Sequence, residues 1–147
     1  MLSGLLTMFG PADQGSVDFS TLGKPSRPNT ALIAPEGYVT GRRLTAVAPV
    51  FPASPDALRS AFEAVALAEP RTEQVHRDPT GFHDRYLQRT TVGFPDTIDV
   101  KVIDLGDGTA TVALFSRSQV GYRDFGVNKA RLERWIAAVD LKISTGK

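Results

Sequence analysis

The sequence predicts an α+β fold, in which an antiparallel meander of three to four strands carries two amphipathic helices on one face, preceded by an irregular proline-rich arm. Three observations carry this expectation. Apolar residues recur at helical spacing in two separate segments, at Leu58, Phe62 and Val65 and again at Leu132, Trp135, Ile136 and Val139. Between them, Ile98, Val100 and Val102 alternate with Asp99 and Lys101, the period of a strand with one buried face. Ahead of them, Pro11, Pro25, Pro28, Pro35, Pro49 and Pro52 recur with glycines and interrupt any helical period.

Residues 1 to about 53 therefore read as irregular, with room only for short strands at 30–34 and 43–48. Residues 1–25 are expected to form an extended apolar arm that contacts a partner, and residues 26–147 a single α+β domain. Few charges and a good supply of Leu, Ile, Val and Phe argue against a freely disordered tail. The first ten residues contain Leu2, Leu5, Leu6, Met8 and Phe9 and no Lys or Arg. That stretch is about half the roughly 20 residues a membrane span needs, and it lacks the basic start of a secretory signal. The expected location is therefore cytoplasmic, with no span of its own, and the five apolar side chains are the expected partner-binding residues.

The first helix opens with Ser54 as N-cap, Pro55 at the first helical position and Asp56 in the first turn, where free backbone N–H groups favour an acceptor and a negative charge. It must stop near Glu69, because Pro70 disfavours helical geometry in its predecessor. Residues 71–77 are polar on both faces and read as an edge strand closed by the turn Asp78-Pro79-Thr80-Gly81. Residues 82–92 read as a longer strand ending at Gly93-Phe94-Pro95-Asp96. Gly106-Asp107-Gly108 turns the alternating strand back into residues 109–116, with Ala110, Val112 and Leu114 on one face. The closing helix follows, with Lys129, Glu133 and Arg134 pointing outward.

Composition excludes several classes of function. The 147 residues are 41% hydrophobic and 22% charged, which suits one domain with a buried core. Seventeen Lys plus Arg against sixteen Asp plus Glu leave a net charge of +1, too little to capture nucleic acid electrostatically. The absence of cysteine removes disulfides, thiol nucleophiles, zinc fingers and iron–sulfur clusters.

The most specific segment is residues 116–131, SRSQVGYRDFGVNKAR, which joins the last strand to the last helix. Gly121 and Gly126 can take positive φ, Asp124 or Asn128 can cap the helix, and Arg117 and Arg131 present planar forks to a carboxylate. Its Ser116, Arg117, Ser118, Gly121, Asp124, Phe125, Gly126, Asn128 and Arg131 resemble the closing signature S-R-S-x-x-G-x-x-D-F/L-G-x-N-x-x-R of the bacterial and chloroplast family catalogued as domain of unknown function 1499. Gly93-Phe94-Pro95-Asp96 and Pro28-Asn29 also look like that family, and the resemblance covers roughly residues 25–140. It implies no activity and so carries over no catalytic residue. Relatives often begin with a membrane-spanning segment, which draws attention to the short apolar stretch found here in its place.

Arg117, Asp124, Asn128 and Arg131 admit two readings: an anion pocket at a helix N-terminus, or a structural lock in which Asp124 neutralises an arginine and Asn128 caps the helix. The lock is favoured, because caps and ion pairs use the same residue types as anion sites. His76, Asp78, His83 and Asp84 follow H-x-D-x4-H-D, which matches no common zinc or iron pattern, so neither metal nor other cofactor is expected. A hydrolase built on Ser118, His83 and Asp96 lacks the G-x-S-x-G elbow that exposes a serine. Among Asp96, Asp99, Asp104 and Asp107, the last two belong to turn chemistry. With no convergent nucleophile, base and oxyanion donors, the sequence favours a non-catalytic interaction domain. That domain is expected to be an accessory subunit docking through its arm onto a larger protein complex, an inner-membrane, respiratory-type assembly being one candidate, on which it would lie peripherally. The alternative is a small-molecule or lipid-binding helix-grip-like domain, or a hydrolase of unknown substrate.

Overall fold

The computed structural model describes residues 17–22, 29–119 and 126–146. A short 3₁₀ turn (Phe19–Thr21) precedes β1 (Thr30–Ala34) and β2 (Ala46–Val47); α1 (Pro55–Ala68), β3 (Thr72–Asp78), β4 (His83–Arg89), β5 (Pro95–Asp104), β6 (Ala110–Ser118) and α2 (Val127–Thr145) follow. The fold is α+β. The residues Leu2, Leu5, Leu6, Met8, Phe9, Gly121 and Asp124, singled out above, lie outside the described residues.

The helix punctuation acts where the sequence places it. Ser54 Oγ accepts a hydrogen bond from the Ala57 N–H at 3.2 Å, Pro55 opens α1, and the chain turns extended at Glu69 ahead of Pro70. Strands β3 to β6 form the expected meander, paired antiparallel throughout. The sheet is nevertheless larger than three to four antiparallel strands: it has six, in the order β2-β1-β6-β5-β4-β3, and is mixed. The extra strands are the two short ones expected at 30–34 and 43–48, found at Thr30–Ala34 and Ala46–Val47, and the unexpected feature is that they join the meander in one sheet. Residues Thr30 to Ile33 pair antiparallel with β6, which makes β1 an inner strand, and β2 pairs parallel with β1 at the edge. Parallel pairing requires a crossover. Here it is made by residues 35–45, in which Gly37 and Gly41 take positive φ and Val39 is buried.

Alternation along the strands separates two cores. One face of the sheet, with Ala31, Ile33, Tyr86, Ile98, Val100, Val112 and Leu114, packs against Leu58 and Phe62 of α1 and Leu132 and Trp135 of α2. The Tyr86 and Trp135 rings meet edge-on at 5.9 Å between centroids, and Phe51 meets Phe62 at 6.2 Å. The second face, away from both helices, is also covered. Leu32, Ala34, Ala113 and Phe115 form a smaller core there with Phe19 and with Val39 of the crossover. The strand β4 (HDRYLQR) is buried along its whole length despite being mostly polar.

Candidate functional site

Three clusters of buried polar groups stand out among the described residues, and the register of the sheet decides which residues meet. The first lies between α2 and the sheet. Arg131, one turn into α2, donates from Nε to Gln88 Oε1 at 2.6 Å, from Nη1 to Ser116 Oγ at 3.0 Å and Asn128 Oδ1 at 2.9 Å, and from Nη2 to Asp96 Oδ2 at 2.6 Å. Asn128 in turn donates from Nδ2 to the Asn29 carbonyl at 2.9 Å and to Ser118 Oγ at 3.0 Å. This network ties α2, β4, β5, β6 and the residue leading into β1 together.

The signature residues divide between the two faces. Asn128 and Arg131 meet in this network, in which Asp96 pairs with Arg131, while Asp124 lies outside the described residues. Asn128 does not cap the helix: the N-cap position is Gly126, at φ 82°. The Asn128 amide reaches across to the sheet instead, because it sits past the cap on the side of α2 that faces β6. Ser116 and Ser118 face α2, so strand alternation sends Arg117 to the other face, where it neighbours Arg42. Burial, together with the Arg117 charge, holds the Arg42 guanidinium below its ordinary value. A four-residue pocket of Arg117, Asp124, Asn128 and Arg131 is therefore not formed by the described residues, since Arg117 is on the opposite side of the sheet from the other two described members.

The second place is under α1. Arg59 donates from Nε and Nη2 to the two Asp84 carboxylate oxygens at 2.8 and 2.7 Å, and also from Nη2 to the Asp78 carbonyl at 2.6 Å. The Asp84 bonds raise the Arg59 guanidinium further above its ordinary value, against the opposing effect of burial. At the far end of α1, Glu69 accepts from Trp135 Nε1 at 3.1 Å and from Gln88 and Arg134. Burial pushes the Glu69 carboxyl up, but the Arg134, Trp135 and Gln88 bonds outweigh it and leave the group below its ordinary value.

The third place is on the helix-free face and is centred on Asp99. Its register places Arg85 of β4 on one side and Phe115 of β6 on the other. Asp99 Oδ1 lies 3.0 Å from His83 Nε2, and Oδ2 accepts from Arg85 Nη2 at 3.0 Å. The third contact is the Val17 backbone N–H, which donates to Asp99 Oδ1 at 3.2 Å. Two residues on, the Phe19 ring packs over His83 with centroids 5.5 Å apart and is almost fully buried. Val17–Leu22, inside the span read from sequence as arm, is thus fastened by the backbone hydrogen bond to Asp99, by ring contacts of Phe19 with His83 and with Tyr38 at 6.2 Å, and by packing in the smaller core.

Other sequence candidates are not brought together. Ser118 and Asp96 face α2 while His83 faces away from the helices, so no Ser118–His83–Asp96 triad exists. Asp107 accepts from the Thr109 N–H and Asp104 from the Gly106 N–H, as turn residues do. His83 and Asp84 are consecutive in β4 and project to opposite faces, and among the described residues no three His, Asp or Glu side chains converge as metal ligands. Sequence reasoning passed over Arg59, Arg85 and Gln88. Arg59 had a signal, since it stands three residues before Phe62 on the buried stripe of α1; Arg85 and Gln88 had none, because only the pairing register reveals their partners.

A six-stranded mixed sheet with two helices on one face and a chain segment pinned to the other defines the molecule as a small α+β domain in which most of the buried ion pairs join one of its elements to another. Residues 21–139 match the family described as Protein of unknown function (DUF1499), and the chain belongs to that family. No curated protein matches the chain.

Proposed function

We propose that the protein is a non-catalytic interaction domain, an accessory subunit that docks through its N-terminal arm onto a larger protein assembly. The observation supporting this reading is the fastening of Val17 and Phe19 to Asp99 and His83, which fixes where residues 1–16 join the body. Those residues include Leu2, Leu5, Leu6, Met8 and Phe9, and each such side chain stabilises whatever contact covers it by roughly 1.5–3 kcal/mol. An apolar stretch issuing from a fixed point on a folded body is suited to insertion into a groove of another polypeptide. Among the described residues no helix is long and apolar enough to cross a membrane. An assembly at the inner face of a membrane, of the respiratory type, is the setting this reading favours, with the domain peripheral and on the cytoplasmic side.

An enclosed-ligand domain of the helix-grip type is less favoured, because its ligand would lie between helices and sheet. That space is filled here by Trp135, Tyr86, Phe62 and Leu132, all fully buried. Deletion of residues 1–10 tests the docking reading. The full chain should run, in gently lysed cells, as a species far heavier than its own 15.8 kDa, and the truncated chain should run alone with an unchanged melting temperature. A full chain that already runs as a free monomer would overturn the reading.

A further inference from the structure

Beyond the docking arm, a cleft of about 390 Å³ opens at the start of β3, lined by Arg71, Glu73, Leu87, Arg89, Thr90 and Gly93 among others. Leu87 and Arg89 alternate with Tyr86 and Gln88, which places them on the sheet face away from the helices. Arg89 is more than nine-tenths buried, and among the described residues no carboxylate pairs with it. Its Nη1 donates to the Gly93 carbonyl at 3.1 Å, while Nη2 is buried with no hydrogen-bond partner at all. A buried guanidinium held only by a carbonyl, with one nitrogen unsatisfied and no counter-charge, is costly enough to require an explanation.

Arg71 stands beside it. Its Nε donates to the Arg89 carbonyl at 3.0 Å, which fixes the fork and leaves the two terminal nitrogens for another acceptor. Arg71 also holds a left-handed backbone, φ 53°, at the turn out of Pro70. Two guanidinium groups against the single carboxylate of Glu73 leave one uncompensated positive charge in the cleft. A monovalent carboxylate balances that charge; a phosphate dianion exceeds it and is repelled by Glu73. The lining of the cleft is mostly apolar, which suits a short hydrocarbon, and the volume is at the small end of ligand sites.

We propose that this cleft binds a small amphiphilic carboxylate, its charged end between Arg71 and Arg89 and its apolar part along the rest of the mostly apolar lining. None of these residues belongs to the arm, so the site stands or falls independently of the docking reading. The test is a titration of the ¹⁵N-labelled full chain with octanoate, methyl octanoate and inorganic phosphate, followed by amide and arginine Nε–H shifts. Octanoate should give saturable shifts confined to residues 71–73 and 87–93, with methyl octanoate and phosphate giving none. Arg71→Gln should weaken octanoate at least tenfold, Arg89→Gln likewise, and Glu73→Gln should strengthen it several-fold. Arg71 and Glu73 are exposed, so these two variants serve even if Arg89→Gln fails to fold. The proposal is overturned if octanoate produces no saturable shift, if the ester or phosphate reproduces it, or if Arg71→Gln binds like the parent.

Discussion

Arg131 of α2 and Asp96 of β5 meet at 2.6 Å inside the protein, each side chain about nineteen-twentieths buried. A buried charge pair of this kind adds little over well-packed apolar residues, yet breaking it strands the remaining charge. Asp96→Ala should therefore lower stability by about 3–5 kcal/mol in urea unfolding. Replacing both partners with apolar residues should recover only part of the loss, because Gln88 Oε1 loses its donor and Asn128 Oδ1 keeps only the one from Ser116 Oγ.

Arg59 and Asp84 form the equivalent pin under α1, with Arg59 also stacked over Phe82 at 5.1 Å. Arg59→Ala should cost roughly 3–5 kcal/mol, because it leaves buried Asp84 with only the distant Arg77 guanidinium, at 3.9 Å. Arg59→Lys should recover less than half, since a point ammonium cannot span both carboxylate oxygens and the Asp78 carbonyl. Equilibrium unfolding monitored at Trp135 fluorescence measures both.

Glu69 sets a pH dependence. Its carboxyl is depressed in the folded state despite partial burial, because Arg134, Trp135 and Gln88 hold the charged form. A depressed carboxyl contributes stability that is fully present above the unfolded value and is lost as pH falls through the folded one. The melting temperature of the parent should therefore fall more steeply than that of Glu69→Gln between about pH 5 and about pH 3. Parallel curves would remove Glu69 from the account.

Phe19 covers His83 at 5.5 Å. Phe19→Ala should cost less than the roughly 3–5 kcal/mol of a central core phenylalanine, because the segment Val17–Leu22 can detach while the body stays folded. The His83 ring protons should lose their aromatic shift, and the Val17 amide should lose its protection from hydrogen exchange. Full protection at Val17 in the variant would show that the aromatic contact does not hold the segment.

What could be read from sequence follows how local each signal is. Ser54, Pro55 and Pro70 bound α1 through their own backbone chemistry, and the alternation of Ile98, Val100 and Val102 marks β5 without reference to any other strand. The six-stranded size was less legible: TALIA reads as a short strand by itself, but its place in the sheet comes only from pairing with LFSR of β6, some 80 residues on. Proline density made that region look irregular, although Pro28 and Pro35 merely bracket a strand. The signature segment pointed to Arg131 and Asn128 as a joint, but not to Asp96, Gln88 and Asn29 as their partners, since a hydrogen bond between distant strands leaves no local pattern. The same holds for His83, Arg85 and Asp99, whose meeting depends on the β4–β5 register, and for the unpaired Arg89, which in sequence is one more surface arginine.

The docking arm is tested most directly by placing a photo-activatable benzoylphenylalanine at Leu5 and irradiating cells that produce the full chain. The account predicts a covalent adduct with a second polypeptide, of one discrete mass, which disappears when Leu6→Asp and Phe9→Asp are added. A cross-link formed only within the chain itself would contradict it.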